Sequence, residues 1–330
     1  MNIKRYLVGA GAGVLTVGLT ALGAAAAAPS SVQASVSGRT LTVTGSAGAD
    51  AIALRLAAGD PNTLQVDAGD DGTAEFSFDR TTFEQIQVLA GAGADRIRID
   101  QVNGAFADEA TTLDGGGGND TILGGDGNET LRGGSGKDSV DGNRGADTAD
   151  LGGGKDSFTW DPGDGSDVIE GRGGRDTLVF NGANVDENFA LDANGSRAVF
   201  TRNVGNIRMD TGSVEALDLN MLGGFDNFSV GDFLDNTAMN QADVDMAAAP
   251  GGGPDAQTDS VNLVGTSGVD HVTAKARGSR IDVAGLPVAT SITGSALPDQ
   301  LQLTAEGPGD TIAVQPAVNA LITVLTNVHV

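Results

Sequence analysis

The chain has 330 residues and is strongly acidic, with 44 Asp and Glu against 19 Lys and Arg, a formal net charge of −25 and no cysteine. This charge argues against nucleic acid as a partner, and without disulfides an exported chain must be held together by burial, backbone hydrogen bonds or bound metal. A compact acidic chain repels itself unless it takes up cations, and carboxylates are the ligands that calcium prefers. The composition therefore favours metal uptake.

The first 34 residues have the pattern of a secretory signal peptide. Lys4 and Arg5 precede an apolar stretch that runs to about Ala28, and small-residue cleavage sites follow within residues 26–34. A lone anchoring helix is the alternative, but glycines interrupt the stretch and no other segment reaches the ~20 apolar residues of a membrane span. We therefore expect an extracellular mature protein with no membrane span.

Short alternating apolar runs follow, as at 39–45, 96–100 and 215–220, and they are typical of β-strands. Aromatic residues make up only 4% of the chain and glycine occurs 51 times, a composition that disordered chains share. The alternating runs favour many short strands joined by glycine turns instead.

A nine-residue repeat begins at Gly115 and fits seven copies, interrupted once by the pair Trp160-Asp161. The fourth position is always glycine and the eighth is always apolar. Glycine permits the positive φ angles of a tight loop, so positions one to six predict a loop and positions seven to nine a short strand. The sixth position is acidic in every copy, in Asp120, Glu129, Asp138, Asp147, Asp156, Asp167 and Asp176.

The pattern GGxGxDxUx resembles the hemolysin-type, or RTX, calcium-binding repeat. The resemblance implies an all-β fold, a right-handed parallel β-roll or β-solenoid in which two repeats make one coil and calcium lies between loops eighteen residues apart. It groups Asp120, Asp138, Asp156 and Asp176 on one side and Glu129, Asp147 and Asp167 on the other. It also implies oxygen ligands from the backbone carbonyls of Gly116, Gly118, Gly125, Gly127, Gly134, Gly136, Gly145, Gly152, Gly154, Gly163, Gly165 and Gly174.

Some positions depart from the family pattern. Glu129 has a longer side chain, Asn143 and Arg144 replace a glycine and a small residue, and Ala149 is a small core residue, so we expect weaker sites on the second side. The inserted pair should bulge the coil. The alternative for each aspartate is an Asx-turn, but seven acidic residues at one repeat position favour a metal, because a turn would tolerate Asn or Ser equally well.

Outside the block, the same loop and strand recur singly around Asp50, Asp95, Asp226 and Asp270. We expect irregular solenoid coils there, with these aspartates forming turns first and binding calcium second, because none has a partner motif eighteen residues away. The predicted divisions are a signal peptide at 1–34, irregular coils at 35–114, the calcium-binding roll at 115–180, irregular coils at 181–246, a Pro/Gly-rich linker at 247–259 and a C-terminal β module and cap at 260–330.

The sequence predicts no enzyme. His271 and His329 are the only histidines, and the chain has neither a zinc-protease motif, a cysteine nucleophile nor a nucleophile elbow. We expect a monomer that binds calcium extracellularly and whose β-roll folds with the ion. The alternatives are an adhesin or scaffold with purely structural calcium, in contact with the cell envelope or a polysaccharide, and a cryptic polysaccharide-modifying enzyme.

Overall fold

The computed structural model describes residues 32–232 and 234–328, so most of the predicted signal peptide lies outside the described residues. Within them the chain contains strands and short 3₁₀ turns but no α-helix, and no helix there is long and apolar enough to cross a membrane. The 3₁₀ turns are Arg80–Thr82, Val204–Asn206, Leu234–Asn236 and Pro316–Ala320.

The strands are short, as the alternating runs predict. The first fifteen are β1 (Gln33–Ser37), β2 (Thr40–Thr44), β3 (Ala51–Ala57), β4 (Asp60–Ala68), β5 (Phe76–Asp79), β6 (Gln85–Ala92), β7 (Arg96–Ile99), β8 (Ala110–Gly117), β9 (Thr121–Leu123), β10 (Thr130–Gly136), β11 (Ser139–Asp141), β12 (Thr148–Gly154), β13 (Ser157–Trp160), β14 (Val168–Glu170) and β15 (Gly173–Gly174). The remainder are β16 (Thr177–Asn181), β17 (Asn188–Asn194), β18 (Arg197–Arg202), β19 (Ile207–Gly212), β20 (Ala216–Asn220), β21 (Asn227–Val230), β22 (Gln241–Asp245), β23 (Ser260–Val264), β24 (His271–Arg277), β25 (Arg280–Ala284), β26 (Ala289–Thr293), β27 (Gln300–Ala305), β28 (Thr311–Val314) and β29 (Thr323–Val328).

The strands form two long sheets. The first sheet follows the order β1-β2-β6-β8-β10-β12-β14-β19-β18-β17-β21-β23-β27-β29, with β15 paired to β12. The second follows β28-β24-β25-β26-β22-β20-β16-β13-β11-β9-β7-β3-β4-β5. Successive central strands alternate between the sheets and pair in parallel with the next coil, which confirms the predicted all-β parallel roll.

The register of the block follows directly from the repeat. In the second sheet Ser139 pairs with Thr121 on one side and with Ser157 on the other, so equivalent positions of neighbouring coils meet. The inserted pair Trp160-Asp161 does not disturb this pairing, because Ser157 pairs onward with Thr177. The coil absorbs the insertion in a turn in which the Asp161 N–H donates to Asp164 Oδ2 at 2.6 Å.

The apolar eighth positions form a continuous row inside the roll. Ile122, Leu131, Val140, Ala149, Phe158, Ile169 and Leu178 are each at most 1% exposed. Stacking is what buries them, and each large side chain then contributes about 1.5 to 3 kcal/mol to stability. Toward the C-terminal end of the block the core also contains aromatic residues, and Trp160 stacks on Phe180 with ring centroids 4.1 Å apart.

The flanks are irregular coils of the same two sheets. Antiparallel segments are inserted at β17-β18-β19 in the first sheet and at β24-β25-β26 in the second, and the antiparallel segment β3-β4-β5 forms one end of the second sheet. Residues 247–259 connect β22 to β23, and both sheets continue on either side of this segment.

Glycine at the fourth position is a steric requirement that a substitution can test. A Cβ built on Gly136, where φ is +133°, would lie 1.6 Å from the Gly118 carbonyl oxygen, whereas one built on Gly153 has no neighbour closer than 3.9 Å. We expect Gly136→Ala to lower the free energy of unfolding in calcium by about 1 to 3 kcal/mol or more, and Gly153→Ala to lower it far less. Denaturant titration followed by circular dichroism measures both, and equal losses would contradict the close stacking of the loops.

Candidate metal centre

The sixth-position carboxylates form two columns, and each column lies at the N-terminal ends of the strands of one sheet. The first column precedes the strands of the second sheet and contains Asp120, Asp138, Asp156 and Asp176. The second column precedes the strands of the first sheet and contains Glu129, Asp147 and Asp167. The structure thus brings together the two groups that the resemblance implies.

One carboxylate oxygen of each aspartate joins neighbouring coils. The backbone N–H of Asp120 donates to Asp138 Oδ1 at 2.8 Å, and the N–H of Asp138 donates in the same way to Asp156 Oδ1 at 2.8 Å. In the second column, the N–H of Asp147 donates to Asp167 Oδ1 at 2.8 Å. Because these bonds cross between coils, they differ from the Asx-turn within one loop that was the alternative reading.

The second oxygen has no protein donor in most of these aspartates. Within the block, buried Oδ2 atoms without a hydrogen-bond partner belong to Asp120, Asp138, Asp147, Asp156 and Asp176. Asp138 Oδ2 faces the start of its own loop, where a Cβ on Gly133 would lie 2.6 Å away. These aspartates are at most 2% exposed, and a buried charge without a partner is strongly unfavourable.

The loops offer main-chain oxygens beside these carboxylates. Fourth-position glycines stack so closely that a Cβ on Gly154 would lie 1.5 Å from the Gly136 carbonyl oxygen, and one on Gly165 would lie 1.3 Å from that of Gly145. Second-position glycines stack likewise in the first column, from Gly116 through Gly134 to Gly152. Gly125 and Gly163 stand outside these stacks, because Gly125 faces Ile99 and nothing lies within 4 Å of a Cβ on Gly163.

The donor set suits a hard cation. Among residues 32–232 and 234–328, no three Asp, Glu, His or Cys side chains form a group that could hold a metal by themselves. A cation between two loops must therefore combine a carboxylate or two with backbone carbonyls. Calcium accepts six to eight oxygens in flexible geometry, so the buried, donorless Oδ2 atoms and the stacked glycine loops fit it.

Burial dominates the electrostatics of the columns. Desolvation, supported by the charges of Glu129 and Asp167, raises the pKa of Asp147 to about 8. Desolvation, together with the charges of Asp164 and Asp141, raises the pKa of Asp167 to about 7. In the first column, desolvation raises the pKa of Asp138 and of Asp176 to about 6 each. A bound cation would oppose these shifts, because its positive charge favours the ionised carboxylates.

Glu129 behaves differently from the aspartates. Its Oε2 accepts a hydrogen bond from the N–H of Gly125 at 2.8 Å, four residues earlier in its own loop. The longer side chain therefore reaches back to cap its loop. This contact uses an oxygen of Glu129 whose equivalent is donorless in the aspartates Asp120, Asp138, Asp147, Asp156 and Asp176.

Further carboxylates, at Asp141, Asp161 and Asp164, lie near the second column. Desolvation, with the charges of Asp141 and Asp161, raises the pKa of Asp164 to about 6. They lie outside the acidic sixth column of the repeat, because Asp141 occupies a ninth position, Asp161 belongs to the insertion and Asp164 occupies a third position.

The flanking motifs do have neighbouring loops, contrary to the expectation from the eighteen-residue spacing. The N–H of Asp95 donates to Asp120 Oδ1 at 2.8 Å across 25 residues. The N–H of Asp226 donates to Asp259 Oδ1 at 2.9 Å across 33 residues. Coils of unequal length bring these loops together, and a search at fixed spacing misses such pairs.

Comparison with protein families agrees with this geometry. The family model of the RTX calcium-binding nonapeptide repeat (4 copies) matches residues 108–140, 123–158 and 163–184. These segments therefore carry RTX repeats, which bind Ca²⁺ and form a structural repeat distinct from a catalytic domain. No curated protein matches the chain in a sequence search.

The raised pKa values predict an unusual pH dependence for chelator-treated protein. Between about pH 4, where unfolded aspartates ionise, and about pH 8, the folded chain holds protons that the unfolded chain has released. The free energy of unfolding should therefore fall as pH rises across this window. Urea titrations at pH 5 and pH 8 in excess chelator measure it, and Asp147→Asn should flatten the upper part of the profile. Greater stability at pH 8 would contradict this assignment.

Proposed function

We propose that this RTX-repeat protein is an extracellular calcium-binding protein whose central β-roll folds together with the ion. The observation that carries the proposal is the row of buried Oδ2 atoms without protein donors in the block. The predicted signal peptide supports export to a compartment where calcium is abundant. We propose no catalytic role for the roll, because its polar groups are committed to holding loops and cations.

The ligands that we propose are the sixth-position aspartates and the carbonyls of the stacked loop glycines. Asp138 and Asp156 are the central pair of the first column, and Asp147 and Asp167 are the pair of the second. Calcium supplies positive charge that neutralises the buried carboxylates when it is bound. The chain's own part is to position the oxygens, through the Oδ1 bonds between coils, and to exclude water around them.

Folding and binding are coupled by charge. Without a cation, the block must bury several carboxylates that have no counter-ion, because no ion pair of the described residues includes Asp120, Asp138, Asp147, Asp156 or Asp176. An ion that binds only the folded roll stabilises it by mass action, by about 1.4 kcal/mol per site at tenfold excess over the Kd. Neighbouring coils share interfaces, so several such sites make the transition cooperative.

Calorimetry tests the choice of ion and the ligands together. We expect chelator-treated protein to bind calcium and to respond weakly to magnesium, because magnesium demands octahedral geometry and retains its water. Asp138→Ala with Asp156→Ala should remove more bound calcium than Asp50→Ala with Asp270→Ala. The latter pair is the matched control, because Ser46 and Thr266 donate backbone N–H groups to the second oxygens of these two residues. Equal heats for both ions, or equal losses in both variants, would refute the assignment.

Trp160 provides a reporter of folding. It is the only tryptophan, it is fully buried, and its Nε1–H donates to the carbonyl of Gly165, a loop glycine of the second column, at 2.8 Å. We expect its emission to shift to the blue and β-type circular dichroism to rise over a narrow range of calcium concentration after chelation. Signals that are already folded-like in chelator and stay flat on calcium addition would show a metal-independent solenoid.

A further inference from the structure

Six loop aspartates outside the block divide into two classes according to what their second carboxylate oxygen contacts. In the first class the oxygen accepts a hydrogen bond from a backbone N–H three or four residues earlier in the same loop. Asp50 Oδ2 accepts from Ser46 at 2.6 Å, Asp270 Oδ2 from Thr266 at 2.7 Å and Asp299 Oδ2 from Ala296 at 2.8 Å. The second oxygen of such a residue is therefore already used in a hydrogen bond within its own loop.

In the second class the same oxygen is buried and has no donor. Asp95, Asp226 and Asp259 have this arrangement and are 2%, 1% and 0% exposed. No ion pair of the described residues includes any of the three, although buried acids elsewhere do have a cationic partner, as in the pair of Arg55 and Asp67 at 2.6 Å. These three aspartates therefore share with the block aspartates their burial, a donorless Oδ2 and the lack of an ion pair with any described residue, but not the eighteen-residue spacing.

We propose that calcium binding extends beyond the nonapeptide block, to one site between the loops of Asp95 and Asp120 and to another between the loops of Asp226 and Asp259. Asp50, Asp270 and Asp299 are turn residues without metal. The inference rests on the proposed function of the block, because it applies the same ligand chemistry to coils of 25 and 33 residues.

The loops at the first site also match the block in their main-chain geometry. A Cβ on Gly118 would lie 1.4 Å from the Gly93 carbonyl oxygen, and one on Gly116 would lie 2.2 Å from that of Gly91. The N–H of Gly93 donates to the carbonyl of Gly117 at 2.6 Å. Stacked glycine carbonyls thus accompany the donorless carboxylates of Asp95 and Asp120, as they do between two nonapeptides.

The second site gathers negative charge from three loops. The N–H of Glu187 donates to Asp226 Oδ1 at 2.8 Å, and Asp255 Oδ2 accepts from the N–H of Gly224 at 3.1 Å. Glu187 forms a buried ion pair with Arg202, whereas no ion pair of the described residues includes Asp226 or Asp259. The Val185 carbonyl lies 2.4 Å from a Cβ built on Gly224, so a main-chain oxygen also approaches this loop.

The test counts bound calcium in full-length mature protein by equilibrium dialysis and elemental analysis. We expect Asp226→Asn with Asp259→Asn to lose about one calcium per chain, and Asp95→Asn to lose about one more. Asp299→Asn is the matched control, because it makes the same bond between coils, to the N–H of Asp259 at 3.1 Å, and should lose none. Retention of all calcium by the flank variants, or equal loss in the control, overturns the inference.

Thermal unfolding separates a ligand from a structural hydrogen-bond acceptor. Asn keeps the Oδ1 acceptor but removes a buried charge, so Asp226→Asn with Asp259→Asn should unfold at a higher temperature than wild type in chelator. In calcium its Tm should rise less than that of wild type. A lower Tm of the variant in both conditions would show that the two aspartates have a structural role only. If the double variant does not fold, the two single substitutions are measured in its place. Calcium bound solely by the block refutes this inference alone, whereas a wild type that binds none refutes the proposed function as well.

Discussion

The structure depends on a repeated buried aspartate whose two carboxylate oxygens have different surroundings. One oxygen accepts the N–H of the preceding coil and so fixes the rise and register of the stack. The other oxygen is buried without a donor, which is unfavourable for a charged group unless a cation is close. The interaction that holds neighbouring coils together is thus the one that makes the block depend on an ion.

The close stacking of the loops explains why glycine is needed at specific positions. Backbone carbonyls of one coil approach the Cα of the next so closely that any side chain at Gly118 or Gly174 would overlap the main chain. The lengths of the coils are less constrained, because extra residues enter as hairpins between strands or as the turn after Trp160. The loops therefore stay in contact while the spacing between them changes from 18 to 20 residues within the block.

The sequence predicted the features that repeat along the chain, but not the contacts between coils of unequal length. The sixth and eighth columns of the nonapeptide predicted the carboxylate rows and the buried apolar row, down to Ala149 and Phe158. The partner of Asp95 was missed because its coil has 25 residues, and the hairpin β17-β18 gave no periodic signal. The different surroundings of Asp50 and Asp95 also escaped prediction, because both are the aspartate of the same Gly-Ala-Asp sequence. They differ in whether a backbone N–H of the loop donates to the second carboxylate oxygen.

The acidic side chains have three chemically different kinds of surroundings, which occur in different parts of the fold. Arg55 and Arg202 neutralise Asp67 and Glu187 inside the flanks, beside the inserted hairpins. Loop N–H groups cap carboxylates such as Asp50 and Asp270. The donorless aspartates concentrate in the central coils, and no ion pair of the described residues includes them. Dependence on calcium should therefore be greatest at the centre and decrease toward both ends, so that the flanks support the roll while its ion sites fill.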